Sequence, residues 1–309
     1  MAKEKDITEK QLEALNDVFA DIVNVLIFNG RQVVHEDDLE PAMPQSQFKA
    51  TGTIHEQERD VAKFWKSGHI RLALFGSENQ TEVDPDMPLR VFSYDGASYK
   101  EQVLQHESAK RTRDSNIIPF PTYPTITLVL HFGKKPWDGP TTLFECFGVD
   151  IPDELKPFIN DYRLNIIDIA YLTPEQVKLF KSDFRIVADY FVQSRISGDY
   201  IPSPEKLTHV DEVLKLMAAL TRDDRFINVV NNSDLLRNEE GGISMCEVLD
   251  KVEQRGFAAG QAAGQAERDS FYGKLMQLLA PLGRLDELVA ATSDKAKLAS
   301  LAKEFGLEV

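Results

Sequence analysis

Residues 125–132 read Thr-Ile-Thr-Leu-Val-Leu-His-Phe, β-branched or apolar almost throughout and free of charge. This is the clearest strand in the chain, and Tyr123-Pro124 leads into it. What surrounds it decides the fold class. Residues 8–28 carry Leu12, Leu15, Phe19, Ile22, Val23 and Leu26 at helical spacing. A polar stretch from Pro41 to Gly52 reads as a loop, and residues 54–66 have no clear period. Ile70 to Gln80 reads as a strand, Asp84-Pro85 as a turn, residues 86–105 as a helix and Asn165 to Leu172 as a further strand. Strands alternating with helices predict an α/β sandwich rather than an all-helical or all-β fold.

Beyond Thr173 the pattern becomes helical, with apolar periods over residues 174–195, 204–220 and 243–255. Gly256, Gly260 and Gly264 recur every fourth residue, so they share one helical face. Gln, Glu and Arg neighbours argue against a lipid setting, leaving a thin helical linker or a close helix–helix contact. Each glycine costs such a helix about 1 kcal/mol against alanine. Leu275 to Val309 fits a few short helices. The expected organisation is an α/β domain over residues 1–200, a helical extension over 201–255, and a glycine-spaced linker with a small helical tail over 256–309.

The chain of 309 residues has a net charge of -15, which at first sight disfavours a nucleic-acid partner. The charge is uneven, however: residues 1–60 carry -7, 61–150 carry -1, 151–250 carry -7 and 251–309 are neutral. The balanced middle holds Lys100, Lys110, Arg111, Arg113, Lys134 and Lys135, which read either as a solvated face or as a basic patch. Cys146 and Cys246 lie too far apart in sequence for a metal knuckle and suggest a reducing, cytoplasmic setting. The opening MAKEKDITEK has no apolar core of a signal peptide, and no apolar run approaches membrane-spanning length. The histidines show no zinc-site spacing.

Residues 60–90 carry the candidate chemistry. Glu78 and Gln80 sit two apart at the end of a strand, so they share one face, with Asn79 on the other. Asp60 precedes the neighbouring stretch and could converge on Glu78. Two converging carboxylates make a hard oxygen site suited to Mg²⁺, which polarises a phosphodiester and acidifies bound water. Spacing alone leaves the plainer alternative open, a strand carboxylate paired with a nearby Arg or Lys.

The block Glu78-Asn-Gln80-Thr-Glu-Val-Asp84-Pro-Asp-Met87-Pro-Leu-Arg90 follows the pattern E-x-Q, an Asp four residues on, then Met and Arg at steps of three. It resembles the signature of the Rpn-like recombination-promoting nuclease/transposase family. Arg59-Asp60-Val61 stands where that family has an Asp-bearing strand, and Phe19 to Phe28 is similar to its opening helix. Tyr123 to Gly133, Lys135-Pro-Trp-Asp138 and Phe180 to Arg185 also fit, so the likeness spans about residues 10–265. The resemblance implies a PD-(D/E)xK-type core, a mixed sheet flanked by helices, and metal-dependent DNA cleavage in recombination, mobile-element or defence biology.

By that resemblance Asp60, Glu78 and Gln80 are catalytic, and Asp60, Glu78 and the Asn79 carbonyl would ligate Mg²⁺. Gln80 stands where the wider superfamily has lysine; a glutamine brings no charge and can only orient water or a phosphate oxygen. Asp21 is an auxiliary acidic candidate, with Asp17 a weaker one. Arg90, Lys100, Lys110, Arg111, Arg113, Lys134 and Lys135 are candidate DNA contacts, although Arg90 equally fits a structural ion pair. Asp84 suits a turn or helix cap, Met87 the core, and Trp137 either a loop anchor or a base-stacking surface. The expected function is a Mg²⁺-dependent DNA endonuclease, homo-oligomeric through its helical regions and without a membrane partner. The alternative is a catalytically silent DNA-binding or self-assembly protein that keeps the same fold.

Overall fold

A computed structural model of the chain describes residues 11–42, 45–50, 53–111, 122–221, 223–231, 243–292 and 294–307. The chain divides into two compact units, Met1–Val248 and Leu249–Val309. The first is mixed α/β. Helix α1 (Asn16–Leu26) is followed by strands β1 (Leu39–Pro41), β2 (Gln45–Ala50), β3 (Thr53–Glu58), β4 (Val61–Ser67) and β5 (Ile70–Gln80). Then come α2 (Met87–Arg111), β6 (Thr125–His131), the short α3 (Leu143–Cys146), β7 (Asn165–Asp168) and the short α4 (Pro174–Val177). Helices α5 (Phe184–Ser197), α6 (Val210–Thr221) and α7 (Asp224–Asn231) complete the unit's main elements.

The main sheet runs β1-β4-β5-β6-β7 and is mixed: β1, β4 and β5 are antiparallel, whereas β6 and β7 add parallel to β5. Ser67 pairs with Ile70, so only Gly68 and His69 turn the β4–β5 hairpin. Gly68 takes φ +59°, a left-handed conformation that glycine adopts without a Cβ penalty. The crossover to a parallel strand uses α2, as a parallel connection requires.

Alternation along β5 buries both of its faces. Ala73 and Phe75 pack with Phe19, Ala20 and Val23 of α1, while Val129 of β6 packs with Met87 and Val91 of α2. Leu74, facing the other way from Phe75, joins Ala62 and Tyr123. Each large apolar side chain so covered contributes about 1.5–3 kcal/mol. The sheet therefore carries helices on both faces, as the strand–helix alternation predicts.

Several boundaries differ from the sequence reading. The first helix is Asn16–Leu26, preceded by turn at residues 11–14; residues 8–10 lie outside the described residues. Pro41 to Gly52 is not a loop: Pro41 ends β1, and Gln45–Ala50 pairs antiparallel with Thr53–Glu58 in a two-stranded sheet. Main-chain bonds define that hairpin, and a polar sequence gives no period to announce it. Asn165–Asp168 is a strand, but Ile169–Tyr171 tightens into a 3-10 turn. The expected helix 174–195 breaks between α4 and α5. There the amides of Lys181 and Ser182 donate to Asp21 Oδ2, both at 2.7 Å, instead of to helical carbonyls.

The second unit is helical. Helix α8 (Met245–Leu279) runs on past the unit boundary, followed by α9 (Leu285–Ala291) and α10 (Lys295–Glu304). Leu275, Leu279, Leu288, Ala291 and Leu301 form its core. Asp294 caps α10 by accepting from the amides of Ala296 and Lys297. Gly256, Gly260 and Gly264 all lie within α8, and a Cβ built on any of them would meet no atom within 4 Å. Among the described residues, no helix is long and apolar enough to cross a membrane.

Candidate active site

The β4–β5 hairpin determines the site. Because Val61 pairs with Ser77, Asp60 arrives beside Glu78 and Asn79 at the end of β5. Asp60 Oδ2 accepts the Asn79 amide N–H at 2.6 Å, which fixes the carboxylate against the strand edge. Glu78 is 1% exposed and ion-paired, its Oε2 lying 3.3 Å from Arg90 Nη2. Arg90, on the first turn of α2, also donates to Asp84 Oδ2 at 2.6 Å and to the Tyr94 hydroxyl at 3.2 Å. Burial works against the Arg90 charge, but Asp84, Tyr94 and Glu78 hold it protonated. Burial, with the Glu78 charge next, raises the Tyr94 hydroxyl above its usual range; Asp60 adds to the effect. Tyr94 thus senses both sequence-predicted carboxylates.

A third carboxylate lies near Asp60, on the face of the sheet opposite Glu78. Glu13, in the turn before α1, is fully buried. Its Oε2 accepts from Ser77 Oγ at 2.9 Å, and its Oε1 has no hydrogen-bond partner among the described residues. Burial and then the Asp60 charge push its carboxyl up to about 7, against the Ser77 hydroxyl and the Asn79 side chain, which lower it. Ser77 and Asn79 share the α1 face of β5; Glu78 and Gln80 share the α2 face. Glu13 had a faint sequence signal, a carboxylate set between Leu12 and Ala14-Leu15. Nothing in the sequence tied it to Ser77.

A buried ionic cluster locks the residue before Asp60. Arg59 Nη2 lies 2.6 Å from Asp95 Oδ1, with both side chains almost fully covered. Asp95 also accepts from Thr127 Oγ1 at 2.7 Å and from the Tyr162 hydroxyl, and Arg59 Nη1 donates to Ser98 Oγ at 3.1 Å. Gly76 admits the arginine: a Cβ there would come 2.7 Å from Arg59 Cδ.

On the other side of β5, Gln80 registers with His131 of β6 and His131 with Asp168 of β7. His131 Nδ1 lies 2.6 Å from Asp168 Oδ1, which also accepts the Trp137 amide at 2.9 Å. The indole N–H of Trp137 donates to the Pro140 carbonyl at 3.2 Å, so Trp137 anchors the loop after β6. Sequence reading passed over this row because the histidine and the aspartate lie 37 residues apart.

The remaining candidates are dispersed. Asp21 is 5% exposed and holds the Lys181–Ser182 backbone; it lines a hollow with Asp17, Asn24 and His35 that includes neither Asp60 nor Glu78. Asp17 pairs with His209 at 2.7 Å. Asp84 accepts the Asp86 amide at 2.9 Å in the turn before α2, and Met87 is fully buried. Lys100, Lys134 and Lys135 are exposed. Lys110 and Arg111 fall at the end of α2, and Arg113 lies outside the described residues. Asp183 accepts the Thr208 and His209 amides, while Arg185 pairs with Glu205.

Among the described residues, no group of three or more histidine, cysteine, aspartate or glutamate side chains is arranged to hold a metal ion. The donor set at the hairpin is nonetheless all oxygen, with no sulfur or imidazole, which is the chemistry of a hard cation. No protein-family model matches the chain, and neither does any curated protein or solved structure.

Proposed function

We propose that the chain is a Mg²⁺-dependent DNA endonuclease hydrolysing phosphodiester bonds, on a PD-(D/E)xK-type core. The approach of Asp60 to Glu78 at the end of the β4–β5 hairpin carries this reading, because carboxylates are brought together at a cost in repulsion and desolvation. The motif resemblance around Glu78, Gln80 and Arg90 supports it. Asp60, Glu78 and the Asn79 carbonyl would hold the ion. Bound there, Mg²⁺ supplies charge stabilisation on the phosphate and a more acidic water. Gln80, half-buried at the end of β5, orients water or a phosphate oxygen through an uncharged amide. Arg90 offsets the Glu78 charge and holds its carboxylate in place.

Plasmid cleavage with Mg²⁺ tests the assignment. Glu78→Ala should lower the rate on the order of 10²-fold or more; equal cleavage by both proteins would refute it.

A second reading has its own observation. Asp60 is held by the Asn79 amide and Glu78 by Arg90, so both carboxylates already serve the fold. This favours a catalytically silent protein that binds DNA or self-assembles, with α8 and its uncovered glycine stripe as the assembly element. Calorimetry separates the two: no heat with Mg²⁺ or Mn²⁺ from a folded sample supports the silent reading. Light scattering on the full chain and on Gly260→Leu tests assembly, with an unchanged mass counting against the stripe.

A further inference from the structure

A cleft of about 610 Å³ opens at Asn79 and runs between the loop after β6 and helix α5. Asn79, Phe132, Lys134, Tyr190, Phe191 and Arg195 line it. The cleft therefore starts at the residue whose amide holds Asp60, on the face of β5 opposite Glu78.

Two cations line it. Arg59, Arg90, Arg225 and Arg284 are held in ion pairs elsewhere in the chain. Lys134 and Arg195 have no carboxylate partner among the described residues. Arg195 is exposed yet held in place, its Nε donating to the Ala170 carbonyl at 2.6 Å and its guanidinium lying 4.7 Å from the Tyr171 ring centroid. That arrangement occupies one N–H and one face of the fork and leaves terminal N–H groups for a ligand. Glu82 is the one carboxylate among the lining residues described. A held, unpaired guanidinium and a free ammonium beside aromatic rings suit a phosphate that carries a flat apolar group.

We infer that this cleft binds a single DNA strand next to the carboxylate site, with phosphates on Lys134 and Arg195 and a base against the aromatic wall. This rests on the nuclease reading for the identity of the strand, but not for the binding itself. Fluorescence anisotropy of a labelled oligothymidylate in EDTA, with the full chain, tests it without any cleavage. Lys134→Gln/Arg195→Gln should bind about tenfold or more weakly, and its salt slope should fall by about 1.4, the share of two phosphates on a single strand. Lys134→Glu alone, at an exposed site that tests no packing, should weaken binding in the same direction. Inorganic phosphate and thymidine monophosphate serve as competitors, and only the oligonucleotide should compete at micromolar concentration. Failure of the wild type to bind, variants within about twofold of it at every salt concentration, or displacement by micromolar mononucleotide would each overturn the proposal. The two readings fail separately. Binding lost in the double variant without any Mg²⁺-dependent cleavage by the wild type removes the nuclease assignment and keeps the cleft. Cleavage with unchanged binding in the double variant does the reverse.

Discussion

Two polar clusters centre on neighbouring residues of the chain, Arg59 and Asp60, and are built on opposite terms. Around Arg59, charge is matched: Asp95 receives the guanidinium, the Thr127 hydroxyl and the Tyr162 hydroxyl. Around Asp60, charge is mismatched: the Asp60 charge raises the cost of ionising Glu13, and Glu13 Oε1 has no hydrogen-bond partner among the described residues. The first group repays its desolvation with hydrogen bonds and anchors α2 to the sheet. The second keeps a carboxyl whose ionisation burial and the Asp60 charge disfavour, which a proton would be drawn to.

The largest expected effect comes from breaking the matched group. Asp95→Ala strands Arg59 in the core and should cost about 3–5 kcal/mol in urea unfolding; a loss below about 1 kcal/mol would show that the cluster does not carry the hairpin. The mismatched group should respond to pH instead. Glu13 has its folded value raised from 4.5 to about 7, so its stabilising contribution is complete below pH 4.5 and is lost as pH rises through 7. Roughly 3 kcal/mol is the corresponding ceiling, since one pKa unit is worth about 1.36 kcal/mol. In EDTA the wild type should therefore weaken between pH 4.5 and 8 relative to Glu13→Gln, and parallel pH profiles for the two would contradict the assigned burial. Gly76→Ala sharpens the contrast from the matched side, because the added methyl collides with Arg59 Cδ; about 1–3 kcal/mol is expected from thermal unfolding. Lys66→Ala is the smallest effect and the control. Its pair with Glu40 lies at the surface, so a change beyond about 1 kcal/mol would mean that exposed pairs matter here as much as buried ones.

Legibility in the sequence followed the same division. Strands β5 and β6 announced themselves by apolar runs, helix α2 was placed after the Asp84-Pro85 turn but runs past residue 105 to Arg111, and a two-residue alternation sufficed to put Glu78 and Gln80 on one face. The approach of Asp60 to Glu78 was open to inference because one tight hairpin makes it. What stayed hidden depends on partners distant in sequence. Glu13 meets Ser77 across 64 residues and Arg59 meets Asp95 across 36, and neither distance leaves a period. Strands β2 and β3 were missed for a different reason: their sequence is polar, so only main-chain pairing identifies them. Asp21, singled out on the opening helix, has one oxygen that serves the 181–182 backbone, a role no sequence pattern announces.

The two-residue turn at Gly68 and His69 has a kinetic consequence. Asp60 and Glu78 are joined by the most local long-strand pairing in the sheet, of a kind that closes in about 1–10 μs. Strand β6 must wait for the α2 crossover, and Glu13 must wait for α1 to dock, each closing a far longer loop. The two carboxylates therefore arrive as a preassembled pair, and Glu13 joins Ser77 by a later step. Native-state hydrogen exchange should reflect that order: the hairpin amides, including that of Asn79, should stay protected through openings that release the segment around Glu13.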